Sequence, residues 1–296
     1  MSSIAIIGAG PLGGELAFLL ARRDVARQIR LVDDEGQIAA GKALDIQQAA
    51  PIVGFAAGVK GSTDIFTAAG TDLIVIADRP GGTEWQGEEG LALMRQVVQL
   101  GGHRSSLVGA RPDNADRHGS VVLCSGASHA DLVERSVREL GIARTRILGS
   151  APEALAAGAR ALVALEAGCS PSDVALTVVG LPPRQSVIVW DDATIAGYAA
   201  LSALDDDARR RVTALVDRLW PPGPLTLAAA AMKAAQAILG QTRSLLAAFV
   251  APDDSYGRRA RTVALPVRLG PSGIAQVEHP HLSVRDRVAL DASMLL

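Results

Sequence analysis

Aromatic residues and cysteines are scarce in this 296-residue sequence. Phe, Trp and Tyr make up 3% of the chain, so an apolar core must be built from Ala, Leu, Val and Ile. The two cysteines, Cys124 and Cys169, form no C-x-x-C pair and have no histidine at metal-ligand spacing. This pattern argues against a disulfide scaffold and against a zinc site, and we expect no bound metal.

Long apolar runs and a strong charge of one sign are missing as well. No stretch of about 18 or more apolar residues occurs, and the N-terminus runs directly into a predicted strand without a signal-like segment. We therefore expect a soluble, cytoplasmic protein that has no membrane partner. The formal net charge is -2 and no basic run is interleaved with aromatic residues, so nucleic acid is not an expected partner.

The strongest motif lies in the first residues of the chain. The unbroken apolar run at residues 4–7 predicts a strand that is buried on both faces, and an amphipathic helix follows the glycines. Gly8, Gly10 and Gly13 have the G-x-G-x-x-G spacing. The first glycine permits a tight turn, the second lets a pyrophosphate approach the backbone, and the third lets the helix pack on the strand. The N–H groups at the helix start then attract phosphate.

The end of the second predicted strand, residues 29–32, indicates which dinucleotide binds. Asp33 follows this strand, at the position where a carboxylate accepts hydrogen bonds from an adenosine ribose diol. Asp34 and Glu35 come next and no Arg lies at this turn, so a ribose 2′-phosphate would meet negative charge. NAD is expected rather than NADP, and a glycine-rich turn that binds nothing is the alternative. The predicted cofactor-binding residues are Gly8, Gly10, Pro11, Leu12, Gly13, Asp33 and Ala77.

The alternation of strands and helices predicts an α/β fold. Residues 1–147 are typical of a Rossmann-type doubly wound parallel sheet, whereas residues 148–296 combine helices with turn-linked strands and are typical of a C-terminal α+β domain. Within the first part, a helix at residues 36–50 is predicted to end at Pro51. Within the second part, residues 174–180 are predicted to form one strand, with residues 186–190 as a hairpin partner. No structure is predicted for the polar segment 101–119.

The chain resembles the lactate/malate dehydrogenase family from end to end. The matching segments are the glycine turn with Asp33, Gly41-Lys-Ala-Leu-Asp45, residues 147–151 and 159–168, Tyr256-Gly257, and residues 266–273. The resemblance implies the Rossmann-type fold, NAD as cofactor, and a homodimer or homotetramer. Ala-rich helices around residues 154–165 and 228–237 would allow close helix packing, either between subunits or within one chain.

The catalytic side chains of that family are not matched. The family uses a His as general acid/base, an Asp that orients it, and an Arg that clamps the substrate carboxylate. The corresponding positions of this chain hold Pro182, Leu155 and Gly158. The family's Ser-Asn-Pro becomes Ser125-Gly126-Ala127. We therefore predict that the usual 2-hydroxy-acid site is lost.

The family's mobile loop, which normally carries two arginines, falls near residues 81–88. Its region contains one arginine, Arg79. Arg79 and Arg184 are the candidates for replacing a catalytic charge, and a solvated loop side chain is the alternative for each. Glu153 lies two positions before the family's Asp position and is a further candidate, whereas His103, His118 and His129 have no carboxylate at an interpretable spacing.

Three functions remain open at this point. The chain is an NAD-dependent oxidoreductase with an altered substrate that lacks a carboxylate, a non-catalytic NAD-responsive protein that binds a small molecule or a protein partner, or a conventional malate or lactate dehydrogenase. The sequence favours the first two because the catalytic positions are replaced. An open polar pocket between residues 78–88, residues 182–186 and Gly126 would favour the oxidoreductase, whereas closure by Trp85 or Leu155 would favour the binding protein.

Overall fold

A computed structural model of the chain describes residues 2–102, 120–251 and 261–295. Six parallel strands form the first half of its main sheet. They are β1 (Ser3–Ile7), β2 (Gln28–Val32), β3 (Gly58–Ser62), β4 (Leu73–Ile76), β5 (Val121–Cys124) and β6 (Ile147–Gly149). Their order across the sheet is β3-β2-β1-β4-β5-β6. This is the doubly wound order of a Rossmann-type fold, so the predicted fold class is confirmed.

Helices cover both faces of this parallel sheet. They are α1 (Pro11–Arg22), α2 (Gly36–Val53), α3 (Gly87–Gly102) and α4 (Ala130–Leu140). Successive residues of a strand point to opposite faces, so Ile4 and Ile6 pack in the cluster that contains α1 and α2, whereas Ile7 packs with residues of α3 and α4. Burial on both faces explains why the sequence of β1 is apolar without alternation.

The predicted end of α2 is wrong by one turn. The helix continues through Pro51 to Val53 and ends at Gly54, whose φ is +83°. The Gly54 N–H donates to the Ala50 carbonyl oxygen at 2.8 Å. Proline removes only one backbone donor in this last turn, and the glycine that adopts a left-handed conformation terminates the helix instead.

The second half of the chain adds antiparallel strands to the same sheet. Its elements are α5 (Ala151–Ala167), β7 (Val174–Ala175), β8 (Val178–Leu181), β9 (Gln185–Ile188), β10 (Thr194–Ile195), β11 (Tyr198–Ala199), α6 (Ala200–Ala203), α7 (Asp206–Val216), α8 (Pro224–Ile238), β12 (Leu246–Val250), β13 (Val263–Gly270), β14 (Gly273–Val277) and α9 (Val284–Leu295). Strands β12, β13, β8 and β9 follow β6 in order, and β14 pairs with β13. The main sheet therefore has eleven strands within the described residues.

The strand predicted at residues 174–180 is divided in two. Strand β7 pairs with β10 in a separate three-stranded sheet, whereas β8 belongs to the main sheet and pairs with β9 as the predicted hairpin. Strands of two residues are too short to show a periodic pattern, which is why β10 and β11 were not predicted.

The predicted division between residues 147 and 148 falls within β6, which is hydrogen-bonded to β5 and β12, and it stays a prediction. His103, His118 and the Tyr256-Gly257 motif lie outside the described residues. In the part of the chain that is described, no helix is long and apolar enough to cross a membrane.

Candidate functional site

The glycine turn between β1 and α1 is formed as the spacing predicts. Gly8 has a φ of +108° and donates its N–H to the Val32 carbonyl oxygen at 2.8 Å. A side chain at Gly8 would collide with the backbone of Asp78, and one at Gly13 would collide with the carbonyl group of Gly8. Strand β1, the end of β4 and the start of α1 therefore approach closely only because these positions are glycines.

The other predicted cofactor residues surround this turn. Pro11 is the first residue of α1. A backbone N–H at this position would have no acceptor within the helix, so a proline is tolerated there. Leu12 is buried below the turn, and Ala77, fully buried at the end of β4, lies beneath Gly13. The Lys42 Nζ donates to the Gly10 carbonyl oxygen at 2.7 Å, which places a positive charge beside the turn.

A carboxylate of the chain itself occupies the start of α1. The N–H groups of Leu12 and Gly13 donate to the Asp78 carboxylate at 3.1 and 2.9 Å. Asp78 is 4% exposed, and this burial raises the pKa of its carboxyl group, although the amide hydrogen bonds and Lys42 lower it. A Cβ at Gly10 would overlap the Asp78 carboxyl group. The space that the second glycine opens toward an anion is thus filled by Asp78.

Asp33 lies at the end of β2, as predicted. Its carboxylate accepts hydrogen bonds from the N–H groups of Ala9 at 2.6 Å and Glu35 at 2.9 Å, and its burial raises the carboxyl pKa. A carboxylate has about four acceptor positions, so hydrogen-bonding capacity remains for a hydroxyl group. Asp33 borders a cavity of about 430 Å³ that is also lined by Asp34, Thr63, Arg79, Trp85 and Gln96.

The catalytic candidate Arg79 belongs to this same cavity. Its guanidinium carbon lies 3.8 Å from the centroid of the Trp85 ring, and its Nη2 is 2.7 Å from a carboxylate oxygen of Glu89. These contacts hold Arg79 on the side of the crevice that contains Asp33. The buried Nε1 of Trp85 has no hydrogen-bond partner among the described residues.

A second carboxylate occupies the opposite side of the crevice. The N–H groups of Ala127 and Ser128, just before α4, each donate to the Glu84 carboxylate at 2.8 Å, and the Ser128 hydroxyl also contacts it. A Cβ at Gly126 would lie 2.6 Å from the Glu84 carboxyl carbon and 2.8 Å from His129 Cε1. The space beside Gly126 is therefore filled.

His129 is a completely buried part of this arrangement. Its Nδ1 accepts the Gly126 N–H at 3.0 Å, while its Nε2 has no hydrogen-bond partner within the described residues. Burial lowers the pKa of the imidazole to about 4, and the nearby Glu84 charge only partly opposes this effect. His129 is thus neutral at pH 7, a property that no sequence pattern indicated.

Asp78 and Glu84 are the two ends of one tight hairpin, residues 78–84, which we call the acidic hairpin. The two residues form an antiparallel bridge, and the Arg79 N–H donates to the Thr83 carbonyl oxygen at 2.8 Å. Gly81 and Gly82, at its tip, have φ angles of +91° and +83°. The acidic and glycine-rich composition of this loop was visible in the sequence, but the direction of its side chains was not.

Of the three positions predicted to correspond to the family's catalytic side chains, two are packed. Leu155 is 1% exposed in the core of the second half of the chain, and a Cβ at Gly158 would lie 2.7 Å from Leu219 Cδ1. Pro182 instead borders a cavity of about 320 Å³ that extends to Ala127 and Ser128, next to Gly126, and that also contains Arg184 and Asp131. Pro182, Leu155 and Gly158 therefore bring no titratable group to the crevice.

Glu153 is buried and hydrogen-bonded to three other residues of the chain. It is 3% exposed, and its carboxylate accepts hydrogen bonds from Arg160 at 2.6 Å, Lys233 at 2.7 Å and the Ala247 N–H at 3.0 Å. These bonds join α5 to α8 and β12. Within the described residues no group of three or more His, Cys, Asp or Glu side chains is placed to hold a metal ion.

Comparison with known proteins identifies the family. A model of the lactate/malate dehydrogenase NAD-binding domain matches residues 2–100. Malate dehydrogenase from Thermomicrobium roseum is 30% identical over 301 residues, which cover 98% of this chain and 94% of that protein. The chain belongs to the lactate/malate dehydrogenase family. Malate dehydrogenase from Dehalococcoides mccartyi is also 30% identical, over 99% of this chain and 96% of its own length.

Solved structures share the fold of this family member. Malate dehydrogenase from Salinibacter ruber superposes with a TM-score of 0.78 at 24% identity, covering 98% of this chain and 93% of that one. Lactate dehydrogenase from Cryptosporidium parvum superposes with a TM-score of 0.81 at 20% identity, covering 99% and 95%.

The expected cofactor, NAD, is confirmed by the match to the family's NAD-binding domain. At the adenosine end the residues present fit this cofactor, because Asp33 is buried at the edge of an open cavity. At the diphosphate end the amides of Leu12 and Gly13 hold the Asp78 carboxylate, so they do bind an anion. The roles of the individual cofactor residues stay predictions.

Proposed function

We propose that this family member is an NAD-responsive binding protein that does not oxidise 2-hydroxy acids. The observation that carries the proposal is the packing of two of the three predicted catalytic positions. Leu155 lies in the core and Gly158 faces Leu219, while Pro182 has no proton to exchange. General acid/base catalysis needs a titratable group near the operating pH, and a carboxylate clamp needs a guanidinium group.

At Gly126 itself the filled space supports a binding protein over an oxidoreductase with an altered substrate, whereas the open cavity between Pro182 and Ser128 supports the oxidoreductase. Glu84 and His129 occupy this space, and neither is placed as a proton donor: burial keeps His129 neutral at pH 7, and the Glu84 carboxylate accepts hydrogen bonds from backbone amides. A 2-hydroxy acid would also meet the negative charge of Glu84. The residue that closes the space is Glu84 rather than Trp85, which packs beneath Arg79.

A conventional malate dehydrogenase is the second candidate function. It is supported by relatives named malate dehydrogenase that are 30% identical over 94% or more of their length. On this hypothesis the cavity beside Pro182 receives the substrate, since it contains Arg184 and Arg261 as possible carboxylate partners. Asp131, in the same cavity, would then be the proton acceptor.

Two titrations separate these functions. NADH is titrated calorimetrically into the purified chain, and oxaloacetate or pyruvate is then added while the nicotinamide absorbance band is followed. We expect heat from NADH, no heat from either ketoacid, and no oxidation. Rapid oxidation with either ketoacid would refute the binding function. Its loss in Arg184→Gln, but not in Arg210→Gln on exposed helix α7, would then identify the cavity beside Pro182 as the substrate site.

A homodimer or homotetramer stays part of the proposal. The Ala-rich helices support it less than expected, because every alanine of α8 except Ala229 is buried within the chain, where α8 packs against α1 and α5. Helix α2 instead exposes Leu44 and Ile52, which are 59% and 89% accessible. Light scattering on the purified chain measures the assembly directly, and a monomer at micromolar concentration would contradict this part of the proposal.

A further inference from the structure

The acidic hairpin lies in the middle of the dinucleotide crevice. In the sheet β4 is the neighbour of both β1 and β5, so the segment after β4 lies between the start of α1 and the start of α4. In doubly wound folds a dinucleotide lies across the carboxyl ends of these strands. The hairpin therefore shares its position with the ligand that the domain binds.

At one end of the hairpin, Asp78 takes the donors that a diphosphate requires. Its carboxylate accepts two backbone N–H groups at the start of α1, where the helix dipole and the free amides stabilise negative charge. Because the carboxyl group also fills the space in front of Gly10, a phosphate cannot approach this backbone while Asp78 stays in place.

At the other end, Glu84 holds the start of α4. It accepts hydrogen bonds from the N–H groups of Ala127 and Ser128 and contacts the Ser128 hydroxyl. The absence of a side chain at Gly126 gives this carboxylate its room, since a Cβ there would lie 2.7 Å from a Glu84 oxygen. The two ends of one short hairpin thus mimic the negative and polar groups of a ligand at two separate helix starts.

The Asp78 backbone is fixed, because its carbonyl oxygen accepts the Gly10 N–H at 2.9 Å, whereas the contacts of Arg79 are at the surface and can be exchanged. Arg79 pairs with the largely exposed Glu89 and stacks on Trp85. Gly87, at the start of α3, has a φ of +55°, and Gly81 and Gly82 are also in the left-handed region. Glycines permit the backbone rotation that would carry the hairpin away from the crevice.

We propose that the acidic hairpin is an internal competitor of the dinucleotide, with Asp78 at the diphosphate position and Glu84 at the far end, so that NAD(H) binds only after the hairpin leaves the crevice. The inference rests on the NAD-binding half of the proposed function. A ligand that binds only one conformation of a protein has an apparent affinity that is lowered in proportion to how little of that conformation is populated. Adenosine, which has the ribose diol but no phosphate, avoids both carboxylates and binds without this penalty.

The test compares NADH and adenosine binding by calorimetry in the full chain and in Asp78→Asn, Asp78→Gly and Glu84→Gln. Asp78→Asn removes the charge with little change in shape, and Asp78→Gly removes the whole competing group. We expect NADH to bind at least about tenfold more tightly to both Asp78 variants and more tightly to Glu84→Gln, with adenosine changed by less than about threefold. Thermal unfolding of each variant verifies that it is folded. If Asp78→Gly is not folded, Asp78→Asn alone provides the comparison.

Glu88→Gln is the matched control. Glu88 is an exposed acid at the start of α3 that pairs with Arg135, so its substitution removes a nearby negative charge without freeing any crevice amide. If Glu88→Gln increased the NADH affinity as much as the Asp78 variants do, the effect would come from net charge alone, and the proposal would be overturned. Unchanged, weaker or undetectable NADH binding in the folded Asp78 variants would overturn it too. Ketoacid-dependent oxidation of NADH is a separate readout, which refutes the binding function and leaves this affinity comparison intact.

Discussion

The two ends of the crevice differ in what fills them. At the adenosine end, Asp33 borders a cavity of about 430 Å³. At the catalytic end, Leu155 is buried in the core, Leu219 faces Gly158, and Glu84 covers Gly126. Cofactor binding depends largely on backbone geometry and amide groups, whereas catalysis depends on titratable side chains that single substitutions remove. On the proposed function, this chain keeps cofactor binding, and packing replaces catalysis.

The largest effect is expected where the backbone geometry of the glycine turn is broken. Gly8→Val places a branched side chain at a φ of +108° and against the Asp78 backbone. Strain of about 1–3 kcal/mol and overpacking of about 1–3 kcal/mol add, so we expect the free energy of unfolding to fall by roughly 4 kcal/mol. Gly41→Ala, in α2 with open space around it, is the control and should not destabilise. Urea unfolding measures both, and similar midpoints would contradict the close packing of this turn.

The catalytic end should respond as a core. Leu155→Ala removes a side chain that is 1% exposed, and we expect a loss of roughly 2–5 kcal/mol in the free energy of unfolding. Leu165→Ala, on the same helix but 81% exposed, should change it by less than about 0.5 kcal/mol. Chemical denaturation gives the difference. If Leu155→Ala were as mild as its control, the position would be an open site rather than a packed one.

His129 should make the catalytic end sensitive to acid. Its folded pKa of about 4 lies below the ordinary value of 6.5, so the folded chain binds fewer protons than the unfolded chain between these pH values. The contribution of His129 to the free energy of unfolding is therefore complete above pH 6.5. It falls by roughly 3 kcal/mol as the pH decreases toward 4. Asp33 and Asp78, whose pKa values are raised, contribute in the opposite sense: their contribution is complete below 3.8 and is lost as the pH rises through their folded values.

A variant isolates the histidine from these acids. His129→Asn keeps an acceptor for the Gly126 N–H but does not titrate, so its unfolding free energy should fall less than that of the unmodified chain between pH 6.5 and 4. Denaturant unfolding at a series of pH values makes the comparison. Parallel curves for the two proteins would mean that His129 is not the source of the acid sensitivity.

The smallest effect is expected for a single hydrogen bond at the adenosine end. Asp33→Asn replaces a charged acceptor of the ribose diol, and a hydrogen bond to a charged group contributes about 1.5 kcal/mol or more, so adenosine should bind roughly tenfold more weakly. Asp34→Asn, at the exposed next position, should change adenosine binding by less than about threefold. Calorimetric titration of adenosine measures both affinities. Equal affinities for the two variants would mean that Asp33 does not contact the ligand.

The sequence by itself determined the fold class, the glycine turn and the position of Asp33. These features follow from local rules: an apolar run is buried on both faces, a glycine adopts a positive φ, and a strand ends where its pattern ends. It also predicted that the family's catalytic positions fall at Pro182, Leu155 and Gly158, and this assignment stays a prediction. It failed at Pro51, where the preference of one residue was outweighed by Gly54.

Only the tertiary structure decided what fills the crevice. Glu84 meets the amides of Ala127 and Ser128 across more than forty residues of sequence, and Asp78 meets those of Leu12 and Gly13 across more than sixty. Such contacts depend on the conformation of a hairpin and on the direction of its side chains, neither of which has a periodic signal. The burial of His129 arises in the same way, since desolvation depends on every element packed around a group and not on its neighbours in the chain.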